Sequence, residues 1–196
     1  MRVLVACEYS GVVRDAFIKA GHVAVSCDLL PTDSPGHHYT CDVREILHEK
    51  NRGQWDLMIA HPPCTHLAVS GAAWFKEKIA DGRQQKALDF VQMLMDAPVD
   101  KICIENPVSV ISSRIRKPDQ IIQPYMFGHK ETKATCLWLK GLPKLVPATD
   151  LKDETMALPK NKRMRLHYLP PSEDRWKIRS RTYQGIADAM AQQWGE

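Results

Sequence analysis

Short apolar runs that break off at an acidic or reactive residue constrain the fold of this chain more than any other feature. RVLVA (2–6), VAVSC (23–27), LMIA (57–60) and KICI (101–104) have the length and content of buried strands. Segments with helical spacing lie between them. Val13, Ala16, Phe17 and Ala20 share one face, and Gly21 closes that helix. A second helix is predicted over 83–97, with Leu88, Val91, Gln92 and Met95 along one side and Pro98 at its end. A further strand is expected over 135–139, and a last helix over 183–194 with Thr182 as its cap. This rhythm predicts one α/β domain over 1–196, Rossmann-like, with a mostly parallel sheet.

In such sheets ligands bind beyond the carboxyl ends of the strands, so the residues there carry the functional reading. After the first run, Tyr9, Ser10 and Gly11 turn into a helix, and Ser10-Gly11 lets the backbone come close to a ligand. Asp28 follows the second run directly, where a carboxylate accepts from ribose hydroxyls. Asp42 precedes VREI and reads either as a helix cap or as an acceptor for an adenine amino group. After LMIA come His61, Pro62, Pro63 and Cys64. Proline lacks the ladder donor and biases its predecessor away from helix, so the strand stops abruptly. The thiol then sits on a stiff mount, as a positioned nucleophile would. KICI ends in Glu105-Asn106-Pro107, the same pattern. Two reactive groups at one sheet edge can face each other across a pocket. Taken alone, Cys64 reads as a small buried hydrophobe and Glu105 as a surface carboxylate capping 109–115.

The six cysteines include no Cys-x-x-Cys pair, which fits reduced thiols in a cytoplasmic protein. His61, Cys64 and His66 lack a zinc spacing, so no metal is expected. No apolar run approaches ~18 residues, and Met1 leads straight into the first apolar run. A cytoplasmic location and no membrane partner are expected. The net charge of +4 is only mildly basic, but its distribution is uneven. Residues 141–181 are rich in proline and read as a long excursion from the core. Within it, over 160–181, Lys and Arg far outnumber Glu173 and Asp174, and Tyr168 and Trp176 interleave with them. The segment reads as a solvated loop, or as a phosphate-contacting strip with aromatics for base stacking. In the second case Lys162, Arg163, Arg165, Arg179 and Arg181 are the nucleic-acid contacts.

These residues resemble the motifs of the cytosine-5 DNA methyltransferases. EYSGVVRDAF is similar to that family's Phe-x-Gly-x-Gly-Gly, with Tyr9 in the Phe place, Gly11 matching the first glycine and Val13 replacing a later one. CDVREI resembles Gly-Asp-Ile-Arg. HPPCTHLAVSG resembles Phe-Pro-Cys-Gln-Pro-Phe-Ser-x-x-Gly, with Gly71 in register, and IENP resembles Glu-Asn-Val. The resemblance implies an S-adenosylmethionine-dependent methyltransferase domain. It places the cofactor against Tyr9, Ser10, Gly11, Asp28, Asp42 and Pro63, with Asp28 at the ribose and Asp42 at the adenine. It makes Cys64 the nucleophile toward carbon 6 of cytosine and Glu105 its carboxyl partner at ring nitrogen 3. The family's Gln-x-Arg-x-Arg falls on Glu131, Lys133 and Thr135, so Lys133 stands in for the arginine that contacts the base. The family's target-recognition region exceeds a hundred residues, whereas this excursion spans 141–181. The implied partner is DNA, duplex or single-stranded, with room for a partner subunit in target recognition. Small members of this kind resemble those of phages and prophages.

Two other classes stay open at the level of sequence. HPPC also resembles the Asp-Pro-Pro-Tyr of amino-methyltransferases, although His61 and Cys64 replace its first and last residues. The altered arginine motif also suits a non-catalytic member that binds cofactor or DNA.

Overall fold

The first strand, β1 (Arg2–Ala6), lies in the interior of the sheet and is buried from Val3 to Ala6. Successive residues of a strand point to opposite faces, so both faces of this strand must be covered. The computed structural model describes residues 1–48, 51 and 53–196. After β1 come α1 (Val12–Lys19), β2 (Val23–Asp28), β3 (His38–Thr40), α2 (Val43–Ile46) and β4 (Leu57–Ala60). A 3₁₀ turn at Val69–Trp74 leads into α3 (Phe75–Ala80) and α4 (Arg83–Met95). Next are β5 (Lys101–Pro107), α5 (Ile111–Arg114), β6 (Gln120–Ile122) and β7 (Thr135–Lys140). The chain ends with α6 (Lys152–Ala157), α7 (Lys160–Arg163), α8 (Arg175–Ser180) and α9 (Gln184–Trp194).

The sheet runs β3-β2-β1-β4-β5-β7-β6. β1 to β5 pair in parallel, while β7 is antiparallel to both β5 and β6. This is an α/β architecture with a mostly parallel, Rossmann-like sheet. A 3₁₀ turn at Pro124–Met126 and irregular chain join β6 to β7.

Alternation along the strands builds two cores. Leu4, Ala6, Met58, Ala60, Ile102 and Ile104 face Leu88, Val91 and Leu94 of α4. Val3, Val5, Leu57, Ile59 and Cys103 face α1 and α9, which pack side by side through Phe17, Ile186, Met190 and Trp194. Two buried indoles keep their hydrogen bonds, Trp138 Nε1 to Arg116 O at 2.8 Å and Trp194 Nε1 to Pro143 O at 3.0 Å, while Trp55 Nε1 has no partner among the described residues. Among the described residues, no helix is long and apolar enough to cross a membrane.

Three local expectations are corrected. Glu105 lies inside β5, because antiparallel pairing with β7 carries the strand on through Pro107↔Thr135. Thr182 does not cap α9; Tyr183 is the cap residue and makes no side-chain cap bond. The 141–181 stretch forms α6, α7 and α8 rather than an irregular excursion. It is tied to the core at several points: Thr132 N donates to Arg163 O (2.6 Å), Arg165 pairs with Glu131 (2.9 Å) and Arg181 pairs with Asp33 (3.3 Å).

Candidate functional site

β1 has β2 on one side and β4 on the other, and the chain winds outward from this pair in both directions. The crevice beyond the carboxyl ends of β1 and β4 is therefore the topological switch point. The turn after β1 and the loop after β4 both open onto it.

The loop after β4 is fixed from several sides. His61 N still reaches Ala6 O (2.9 Å), and then Pro62 and Pro63 end the ladder. Asn106, buried on β5, donates its Nδ2 to Pro62 O at 2.8 Å. Cys64 O accepts from Leu67 N (3.0 Å) and Ala68 N (2.9 Å), so the chain turns at the thiol. Lys78 Nζ holds Thr65 O (2.7 Å) and Gln84 Nε2 holds His66 O (3.2 Å), and both side chains are buried. Val69 N to Val108 O and Val110 N to Leu67 O, each 3.0 Å, stitch this loop to the segment after β5.

Glu105 comes to the same crevice from β5, the neighbour of β4. His61 Nδ1 donates to its Oε2 at 2.9 Å, with 10% and 15% of the two side chains exposed. His61 Nε2 is buried with no protein partner. Burial pushes the imidazole down, but the hydrogen bond and charge of Glu105, with Glu8, outweigh it and leave His61 above its ordinary value. Burial pushes Glu105 up, but the bond and charge of His61, with Lys133, leave it below the usual carboxylate range. Burial, then the charge of Glu105, raises the Cys64 thiol, while Lys133 and Arg179 pull it the other way. Thiol, carboxylate, imidazole and two cations thus share one electrostatic site.

On the other side of the crevice, Glu8 is the organiser. Its carboxylate accepts from Val13 N (2.8 Å), Arg14 N (3.3 Å) and Ser10 Oγ (3.1 Å), and so caps α1. Gly11 has φ of 75°, and a Cβ there would fall 2.5 Å from Arg14 Nη2 and 3.0 Å from Ser34 Cβ. Its missing side chain admits the buried Arg14, which holds Ser34 O and Pro35 O at 3.1 and 3.0 Å. Tyr9 turns toward α8. Its hydroxyl donates to Lys177 O (3.3 Å), lies 3.1 Å from Ser180 Oγ, and its ring packs 5.7 Å from that of Trp176.

Asp28 and Asp42 share the end of the sheet with Cys7, whose thiol is pushed up to about 12 by burial and then by those two charges. They differ as ligand groups. Asp28 Oδ1 accepts from Leu30 N (3.0 Å), and a carboxylate has several further acceptor sites, so it suits ribose hydroxyls. Asp42 caps α2 through Arg44 N and is clasped by the Arg44 guanidinium at both oxygens, so its carboxylate is already committed. The hydrogen bonds with Arg44 hold it below the usual range.

The five basic residues predicted to contact nucleic acid fall in different settings. Lys162 is exposed. Arg163 donates to Met156 O (2.9 Å) and Leu158 O (3.4 Å) at the end of α6, and Arg165 and Arg181 are the ion pairs that tether the excursion. Arg179 joins the thiol site, and its carbonyl accepts from Lys133 Nζ at 2.9 Å. Pro63 is exposed on the thiol loop. Sequence reasoning missed Glu8, although an acidic residue directly between a strand and a helix start is a cap signal. It also missed Asn106 as the prop of Pro62, which only the pairing of β4 with β5 reveals. Among the described residues, no cluster of three His, Cys, Asp or Glu is placed to hold a metal ion. Compared with known protein-family models and with curated proteins, the chain matches none.

Proposed function

We propose that this chain is an S-adenosylmethionine-dependent methyltransferase acting on carbon 5 of cytosine in DNA. One observation carries the reading: Cys64 follows the end of β4, Glu105 sits on the neighbouring β5 one residue past the last β4–β5 pair, Ala60↔Ile104, its charge raises the thiol, and His61 is bonded to the carboxylate. Asp28 is the group for the cofactor's ribose, and the cofactor supplies a methyl group on a sulfonium.

The remaining chemistry belongs to the chain. Cys64 ionises and its sulfur adds to ring carbon 6, and the displaced electron pair makes carbon 5 nucleophilic. Lys133 and Arg179 favour that ionisation. Glu105 faces ring nitrogen 3 with the oxygen that His61 does not hold, and the pair carries the proton that nitrogen needs. After methylation, carbon 5 gives its proton to solvent, the bond from carbon 6 to sulfur breaks to release the Cys64 thiolate, and ring nitrogen 3 returns its proton to the Glu105–His61 pair. The amino-methyltransferase alternative lacks support at its key position, since His61 is engaged with Glu105.

A cytosine with fluorine at carbon 5 tests this. Methylation then leaves no proton to remove, so wild-type protein incubated with cofactor and such DNA should form an adduct that survives denaturation. Cys64→Ser should abolish it and Glu105→Gln should slow it by roughly 10²–10⁴-fold. Each variant is first checked for intact cofactor binding. Methyl transfer to carbon 5 by Cys64→Ser protein would overturn the mechanism.

A further inference from the structure

α8 and the residues after it form a strap across the crevice. On one side Lys133 Nζ holds Arg179 O at 2.9 Å. On the other, Tyr9 meets Ser180 at 3.1 Å and Arg181 pairs with Asp33 at 3.3 Å. Behind the strap, Glu131 clamps Arg165 and also accepts from Tyr183 Oη at 2.7 Å. A cavity of about 420 Å³ lies beneath it, lined among others by Tyr9, Asp33, Lys177, Ile178, Arg181 and Tyr183. That volume falls in the range of small-ligand pockets.

The 160–181 stretch that carries the strap combines groups for bases and for phosphates. Trp176 is 50% exposed and Tyr168 49%, far more than packing of such rings requires. Lys177 Nζ sits 5.8 Å from the centre of the Trp176 ring, and Lys162 is exposed on the same 160–181 stretch, where Arg165 and Arg181 are already engaged by Glu131 and Asp33. Exposed aromatics beside cations are the combination that binds single strands, because every base offers a face to stack on. A duplex asks for something different. The target base must be extruded from the stack, and base edges must be read from a groove. The segment that would do this work is folded back onto the core and committed to closing the crevice.

We infer that the substrate is an unpaired DNA strand, threaded over the strap by stacking on Trp176 and Tyr168, with its phosphates on the neighbouring cations. This rests on the reading of the crevice as a cytosine site and narrows its substrate class.

Fluorescence anisotropy on the full chain tests it, with a labelled cytosine-containing oligonucleotide offered single-stranded, as the duplex, and as the RNA strand. The single DNA strand should bind at least tenfold more tightly than the duplex and no more weakly than RNA. Tyr168→Ala and Trp176→Ala should each weaken single-strand binding about tenfold. Trp176 also packs on Tyr9, so Tyr168→Ala, together with Lys162→Gln, is the cleaner test. Lys162→Gln should lower the slope of log K against log salt by about 0.7. Equal or tighter duplex binding, tighter RNA binding, no binding at all, or unchanged affinity of the aromatic variants would overturn the inference. The fluorocytosine adduct is scored separately. A single-strand preference without an adduct supports the strap and defeats the Cys64 reading, and an adduct on duplex alone defeats the strap.

Discussion

His61 and Glu105 hold the proton inventory of the crevice, and their linkage to stability has a definite sign. The imidazole is raised above its ordinary 6.5 and the carboxyl is lowered below its ordinary 4.5. A raised base stabilises fully below its unfolded value, and that contribution is lost as pH climbs through the folded value. A lowered acid stabilises above its unfolded value, and loses this as pH falls through the folded value. The pair therefore contributes in full between the two ordinary values, 4.5 and 6.5. His61→Ala removes a charge-assisted hydrogen bond and leaves a buried carboxylate behind, at a cost of about 1.5–3 kcal/mol in that window. Urea unfolding at pH 5.5 and at pH 8.5 checks this: the destabilisation should be smaller at the higher pH. Equal destabilisation at both would reduce His61 to a packing residue.

At the scale of elements, the parts legible in the sequence are those whose signal is local. The run LMIA followed by two prolines marks β4 to the residue, because apolar content and a missing donor are both properties of adjacent residues. β6, the three-residue strand Gln120–Ile122, carries no such signal and exists only because β7 pairs with it. The strap was hidden for the same reason: Glu131 and Lys133 read, with Thr135, as a degraded arginine motif, and nothing in the sequence tells that these two clasp residues thirty or more positions away. Asp42 was legible as two alternatives, and in the structure it caps α2, its Oδ1 accepting from Arg44 N. The thiol loop combines both kinds of information. Its stiffness comes from Pro62 and Pro63, but its position comes from Lys78, whose buried ammonium donates to Thr65 O at 2.7 Å. Lys78→Met keeps the apolar stem and removes the donor, which should cost about 1–3 kcal/mol locally. The amides of Leu67 and Ala68, bonded to Cys64 O, should then exchange about tenfold faster or more, while those of β1 stay protected. Unchanged exchange at Leu67 and Ala68 would mean that the thiol loop holds its place without Lys78.

For the molecule as a whole, helices pack on both faces of the sheet, and a ligand in the switch-point crevice would link the two halves of the wind. A ligand that binds only the folded state stabilises it by about 2.7 kcal/mol at a hundred times its dissociation constant. For a chain of this size that corresponds to a rise in Tm of roughly 5–11 °C. S-adenosylmethionine or its demethylated product should produce that rise in the wild type. The two carboxylates at the strand ends should then part company. Asp28→Ala should leave the unliganded Tm nearly unchanged, since its one bond is to Leu30 N in an exposed turn, and should remove most of the ligand-induced rise. Asp42→Ala should do the reverse. It loses the α2 cap, worth about 1 kcal/mol, so the unliganded Tm falls by a few degrees, while the rise on adding ligand persists because Arg44 already occupied that carboxylate. Scanning calorimetry of the three proteins with and without ligand reads both effects at once. A full ligand-induced rise in Asp28→Ala, or its loss in Asp42→Ala, would move the ribose site away from the end of β2.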